Sequence, residues 1–405
     1  MTRLTLAAGL VPALSLMAGL GEAATLSPFL VSDQGTDEVL LATDLNGDGD
    51  TNDPGEMKVF YSAANASGLP AGSGNVFSLS QVADGSVLIG DGDTDSVYRL
   101  RDEDFDGTAQ GEGEARVWFS GSGNAAGFRL NTPNGIAEGP DGAVYVVEAD
   151  TGGFPTGDWV YRTVDLNGDG DANDAGEATR WLDLKAVNPA SSPFEIRFDG
   201  GTAYVMDTAG ATPNVIYAAR DADGNGVVEG TELRTFASQT TLPGVNFDFA
   251  MDVGLGSVWT WQWLPVNGVS SVFRLTDLDG SGLIDAAEEA VEVWNTTLLD
   301  PAYTFLAGFG LDLNDATGEI FITSNAGAEN GRWILRLLDR DGDGSFWDEG
   351  EGRVVLSGDA QGTYPDRPRN VAVYEPQVAP VPLPAALPLL LAGLGGLALL
   401  RRSRA

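Results

Sequence analysis

Along most of the chain, apolar and polar residues alternate in short runs broken by Gly, Asp and Asn. A period of two with such breaks predicts half-buried β-strands. One family of runs reads "EVLLAT", "SVYRLR", "WVYRTV", "VIYAAR", "SVFRLT" and "WILRLL". Each is followed by an acidic stretch and then by a second apolar run, such as "MKVFYS", "ARVWFS", "LRTFAS" or "GRVVLS". Upstream lies a paired phrase, fullest in "TPNGIAEGPDGAVYVVEAD", with weaker copies at "NVFSLSQVADGSVLIGDGD", "SPFEIRFDGGTAYVMD" and "FLAGFGLDLNDATGEIFITSN". Two alternating runs around a D-G type turn are a hairpin signal. The unit therefore reads strand A, turn, strand B, loop, strand C, acidic loop, strand D.

The acidic loop begins at Asp44, Asp102, Asp165, Asp221, Asp277 and Asp339. Six four-stranded units predict an all-β chain, a six-bladed β-propeller with its acidic loops between strands C and D. The two ends of the repeat support a closed ring. "PFLVSDQGTDEVLLATD" and "MKVFYS" supply strands B, C and D with no strand A before them, and "RPRNVAVYE" near the C-terminus supplies the missing one. One C-terminal strand would thus close the first blade beside three N-terminal strands. The boundaries read from this put the propeller over 24–377, between an N-terminal segment over 1–23 and a C-terminal segment over 378–405.

Charge and composition narrow the chemistry. The chain has 59 acidic and 22 basic residues, a formal net charge of −37, and neither His nor Cys. Such a surface repels nucleic acid and attracts divalent cations. Disulfides, thiolate nucleophiles, His-based triads and Cys or His zinc sites are excluded. With 43 % hydrophobic residues the chain has the means to build a core despite its acidity. What remains is oxygen chemistry, the ligand set of hard cations.

The acidic loops resemble the calcium loop of EF-hands, in which alternating side chains at positions 1, 3 and 5, a Gly at 6 and a late carboxylate surround one ion. Asp221, Asp223, Asn225 and Glu232 match that count, as do Asp277, Asp279, Ser281, Asp285 and Glu288. In the other four copies the final Glu falls one place later. They are Asp44, Asn46, Asp48, Asp50 with Glu56; Asp102, Asp104, Asp106 with Glu114; Asp165, Asn167, Asp169, Asp171 with Glu177; and Asp339, Asp341, Asp343 with Glu351. In these, either one residue bulges out or a nearer group (Asn52, Asn173 or Asp348) takes the closing place. A single copy would read equally well as a solvated turn. Six copies in register point to calcium, at up to six sites with a structural role.

Both termini carry addresses. "MTRLTLAAGLVPALSLMAGLGEAA" reads as a secretory signal with a cut after Ala23. The last residues combine the Pro-rich "VPLPA" (Val381 to Ala385), an apolar run from Ala385 to Leu400 and an Arg cluster of Arg401, Arg402 and Arg404. This tail resembles the VPLPA variant of the PEP-CTERM sorting signal. The resemblance implies a Gram-negative bacterium, export, transient inner-membrane anchoring, processing by an exosortase-type enzyme and a surface destination, often beside exopolysaccharide production. A plain C-terminal transmembrane anchor is the alternative.

The "TPNGIAEGPDGAVYVVEAD" phrase also resembles the repeat of NHL-type propellers and of the gluconolactonase-like family. In the latter, an Asn of a P-N-G phrase helps hold a catalytic divalent cation over the central channel. The resemblance places Asn134 there. Register on the following hairpins puts Phe77, Phe194, Asp248, Phe309 and Arg369 at the equivalent places, with Glu195 one residue on. Asn134, Asp248, Glu195 and Arg369 are thus the candidates for catalysis at the channel mouth, with aromatic residues holding three of the six places. Asp91, Glu148 and Asp207, at the ends of B strands, read as turn caps. Calcium-dependent phytases, another six-bladed class, need more basic residues than Arg197, Arg367 and Arg369 supply. The reading is an exported, calcium-binding propeller that binds or scaffolds at the envelope or extracellular matrix, with exopolysaccharide or another surface protein as partner. The alternative is a metal-dependent lactonase- or esterase-like hydrolase.

Overall fold

The structure, a computed structural model, describes residues 26–70, 76–149, 158–208, 213–242, 244–248, 250–264, 268–303, 308–325, 331–358 and 365–377. The signal segment and the sorting tail lie outside them. Among the described residues, no helix is long and apolar enough to cross a membrane.

Alternation produces six separate four-stranded antiparallel sheets. From inner to outer strand, blade 1 comprises Pro368–Val373, Phe29–Asp33, Glu38–Ala42 and Met57–Tyr61. Blade 2 comprises Val76–Gln81, Val87–Asp91, Ser96–Leu100 and Ala115–Ser120. Blade 3 comprises Pro133–Glu138, Val144–Glu148, Trp159–Thr163 and Ala178–Asp183. Blade 4 comprises Pro193–Asp199, Thr202–Asp207, Val215–Ala219 and Leu233–Ser238. Blade 5 comprises Ala250–Gly254, Ser257–Leu264, Val269–Leu275 and Ala290–Asn295. Blade 6 comprises Leu311–Asn314, Glu319–Asn325, Arg332–Leu337 and Gly352–Ser357. The inner strands touch their neighbours in a closed ring, so the molecule is a six-bladed β-propeller.

The C-terminal strand pairs antiparallel with the first N-terminal strand, Phe29 opposite Val373 and Val31 opposite Val371, as the split repeat predicts. Closing the ring this way covers the two strand edges that an open chain would leave free. The core is divided among six apolar clusters, each drawn from two neighbouring blades. Each sheet is therefore buried on both faces, which explains why its middle strands, such as "FLVSD" and "VYVVE", are buried throughout.

Antiparallel alternation also sorts the connections. The A–B turns and the acidic C–D loops emerge on one face; the B–C turns and the links into each inner strand emerge on the other. The acidic loops and the channel mouth, where the inner strands begin, are consequently on opposite faces. The N-terminal start and the C-terminal exit of the ring meet on the acidic-loop face, where the Tyr374 N–H donates to the Pro28 carbonyl at 2.8 Å.

Candidate functional site

Each acidic loop is built around its first Asp. In blade 4 the Asp221 carboxylate accepts from the N–H of Gly224 at 2.8 Å and of Gly226 at 2.9 Å. Asp44, Asp165, Asp277 and Asp339 do the same with their own glycine pairs. Both glycines sit at positive φ, where a side chain is strained. Blade 2 keeps the fold with Phe105 at the first of these places, at φ 62°.

A glutamate closes every loop. One carboxylate oxygen accepts from the N–H of the second loop residue: Leu45 to Glu56 (2.9 Å), Glu103 to Glu114 (2.9 Å), Leu166 to Glu177 (2.9 Å), Ala222 to Glu232 (2.7 Å), Leu278 to Glu289 (3.0 Å) and Arg340 to Glu351 (2.8 Å). This corrects the reading of the fifth loop, where Glu289 stands in the closing place and Glu288 is exposed. The late glutamate is thus the rule and the EF-hand count of blade 4 the exception. Asn52 and Asn173 do not close their loops. Their Oδ1 atoms accept from the N–H of Ser357 (2.9 Å) and Ser120 (2.8 Å) on the preceding blade.

Carboxylate oxygens lie within 4.8 Å of one another in Asp102, Asp104 and Asp106; in Asp221, Asp223 and Glu232; in Asp277, Asp279 and Glu289; in Asp339, Asp341 and Glu351; and in Asp341, Asp343 and Asp348. These acidic clusters can bind a metal ion. In the first and third loops Asn46 and Asn167 donate instead to Asp53 (2.5 Å) and Asp174 (2.6 Å). Asp53 and Asp174, absent from the sequence expectation, occupy the place that Asp348 holds in blade 6. Backbone N–H groups of Ala222 and Glu229 hold the Glu232 carboxyl below its ordinary range, and that of Asp285 does so for Glu289. Asp348 is raised, chiefly by the charge of Asp341. Charge repulsion of that kind is what a bound cation relieves.

The same loops hold the ring together. The eighth residue of each is buried, and its N–H donates to the outer strand of the preceding blade: Thr51 to Val355 (2.7 Å), Ala109 to Phe60 (2.7 Å), Ala172 to Trp118 (2.7 Å), Val228 to Trp181 (2.7 Å), Ile284 to Phe236 (2.6 Å) and Phe346 to Val293 (2.9 Å). Basic side chains add a second link. Lys58 donates to the Asp106 carbonyl (2.9 Å), Arg353 to that of Asp48 (2.9 Å) and Arg274 to that of Gly344 (2.8 Å). Arg116 and Arg234 lie against Gly170 and Gly282. Blades 3 and 5 have Thr179 and Val291 where the outer strands of blades 1, 2, 4 and 6 carry the basic residue. Grooves of about 510 and 500 Å³ lie at these two junctions.

At the mouth, the six equivalent places are held by Arg369, Phe77, Asn134, Phe194, Asp248 and Phe309 from blades 1 to 6. Asn134 is buried; its Nδ2 donates to the Pro193 carbonyl at 3.0 Å, and its Oδ1 is buried without a donor. The Asp248 carboxylate accepts from Asn246 Nδ2. The Glu195 carboxylate is paired with Arg197 at 2.5 Å. Arg197 also meets Asp252 at 3.2 Å and Asp312 at 3.9 Å, so inner strands of three successive blades share one guanidinium. Burial pushes the Glu195 carboxyl up to about 7 against the pull of Arg197, and raises Asp252 and Asp312 as well. This cluster was missed in the sequence. Its one signal is the set of charged residues Glu195, Arg197, Asp252 and Asp312 on the inner strands of three successive blades. The B-strand carboxylates act as caps: Asp91 accepts from the N–H of Asp93 (2.8 Å), Glu148 from that of Asn131 (2.8 Å) and Asp207 from that of Ser192 (2.7 Å).

No family model and no curated protein matches the sequence. Among solved structures, TolB from Acinetobacter baumannii matches with a TM-score of 0.50 and 13 % identity, over 88 % of this chain and 68 % of that one. The PQQ-bound aldose sugar dehydrogenase from Streptomyces coelicolor gives 0.48 and 14 %, over 78 % and 88 %. A streptogramin B lyase gives 0.42 and 15 %, over 86 % and 87 %. The shared property is the propeller fold.

Proposed function

We propose that this chain is an exported, calcium-loaded propeller that binds or scaffolds at the cell surface, its partner an exopolysaccharide or another surface protein. The observation that carries this reading is the sixfold acidic loop. Its carboxylates converge, and its eighth residue is bonded to the preceding blade, so an ion in the loop would stiffen a blade junction. The signal segment and the VPLPA-type tail support export and sorting. The chain leaves the ring on the acidic-loop face, where Gln377 Nε2 donates to the Asp84 carbonyl at 3.1 Å. A tail-anchored or tail-sorted protein would then present its channel mouth outward. A metal-dependent hydrolase in the channel is the weaker reading, because the carboxylate of Glu195, one of its candidate residues, is engaged by Arg197.

Calcium titration of the purified chain tests the proposal. At affinities of ~10⁻⁴ to 10⁻³ M, 1 mM calcium contributes roughly 0.4–1.4 kcal/mol per site. Six sites together contribute roughly 2–8 kcal/mol, a large share of an ordinary domain's stability. We expect up to six bound equivalents and a melting temperature that falls sharply in chelator. A melting temperature indifferent to chelator would reduce the loops to acidic turns. Hydrolysis of lactones or esters, abolished by Asn134→Ala and by Asp248→Ala, would restore the enzyme reading.

A further inference from the structure

Arg369 is the second residue of the strand that closes the ring, and only 8 % of it is exposed. Its guanidinium carbon lies 4.1 Å from the ring centre of Phe77 and 5.0 Å from that of Phe309. Those phenylalanines hold the equivalent places on the two blades that flank blade 1. Among the described residues, no carboxylate, carbonyl or hydroxyl meets the guanidinium, and its Nε is buried without an acceptor. Two other buried arginines on inner and middle strands do have carboxylates: Arg197 has Glu195 and Asp252, and Arg336 has Glu319 at 2.7 Å.

In a chain with 59 acidic residues, the buried guanidinium of Arg369 thus has no anion among the described residues. Cation–π contact offsets part of the desolvation of a guanidinium but satisfies none of its five N–H donors. An unpaired buried charge is expensive to keep. Arg369 stands at the start of the innermost strand of blade 1, at the channel mouth. We infer that the channel mouth binds a hydroxylated carboxylate, such as an acidic sugar, through the guanidinium of Arg369.

Three features select that class. A carboxylate meets the guanidinium fork with two parallel hydrogen bonds. Arg369 supplies a single positive charge, since Arg197 is committed to its own acids and Arg367 is exposed on the surface; this suits a monoanion better than a phosphate. On the same ring of places, the buried Oδ1 of Asn134 lacks a donor, which a ligand hydroxyl can supply. The inference does not rest on calcium in the loops, which lie on the opposite face.

The test uses the purified chain with calcium in fixed excess, and glucuronate and galacturonate as probes against glucose, galactose and inorganic phosphate. Calorimetry and melting temperature are both read. We expect the uronates to bind and raise the melting temperature, and the neutral sugars and phosphate to bind about tenfold or more weakly. Arg369→Met should melt at or above the wild type, because it removes an unpaired buried charge, and should lose the uronate response. Arg369→Lys should bind uronate about tenfold more weakly, since an ammonium lacks the planar fork. Equal binding of phosphate would overturn the ligand class. A uronate response retained in Arg369→Met would overturn the site. A lower melting temperature in Arg369→Met, with no anion bound by the wild type, would make the guanidinium a wedge between the rings. If Arg369→Met does not fold, undiminished uronate affinity in Arg369→Lys overturns the inference by itself.

Discussion

At the scale of single residues, the two neighbouring glutamates of the fifth loop separate the sequence count from the structure. Glu289 is buried and accepts from Leu278 and Ala286, whereas Glu288 points to solvent. Glu289→Gln should lose one calcium equivalent and lower the melting temperature in calcium, and Glu288→Gln should change neither. The reverse result would return the ligand role to Glu288. Two other buried acids set a pH dependence. Burial pushes Glu148 up to about 8 and Glu195 up to about 7, from an ordinary value of 4.5. Between those limits the folded chain binds more protons than the unfolded one, so stability falls as pH rises. In chelator, where calcium does not intervene, the melting temperature should decline from about pH 5 to about pH 8. A rise over that window would mean that both carboxylates are ionised in the fold.

At the scale of elements, the acidic loop joins two blades as well as closing one hairpin. Its eighth N–H carries a buried backbone hydrogen bond, whereas the basic links lie near solvent. Ala172→Pro removes the donor to Trp118 and should cost about 1–3 kcal/mol. Arg353→Ala removes an exposed contact to Asp50 at 2.6 Å and should cost about 0–1 kcal/mol. Denaturant melts of the two variants give the comparison. Equal costs would show that charge, rather than the buried bond, sets the strength of the junction.

At the scale of the whole molecule, the ring is closed by residues more than three hundred positions apart in sequence, Phe29 opposite Val373. A chain ending at Gly358 lacks the inner strand of blade 1. It exposes the Phe29–Asp33 edge and uncovers the apolar cluster containing Leu26, Val31 and Val371. Such a chain should sediment as aggregate, and a monomeric product with a sharp melt would show that the ring does not need its closing strand. The tail beyond the ring is expected to be removed on sorting. Mass spectrometry of surface material should then find no peptide beyond about Ala385.

The local code of this chain was legible because it repeats. Strand periodicity, D-G turns and the Asp and Gly spacing of the loops are short-range features. Six copies of them were enough to give the blade count, the split first blade and the position of every acidic loop. Counting from the EF-hand pattern put Glu288 in the closing place of the fifth loop, whereas the loops of blades 1, 2, 3, 5 and 6 return one residue later than that of blade 4. What the tertiary structure alone decided are contacts between blades. These are the eighth-residue bonds, the turning of Asn52 and Asn173 to the preceding blade, the gathering of Glu195, Asp252 and Asp312 around Arg197, and the placing of Arg369 between Phe77 and Phe309 without a carboxylate. Each joins residues from different repeats. Their proximity depends on the angle at which packed sheets close into a ring, which no short stretch of sequence records.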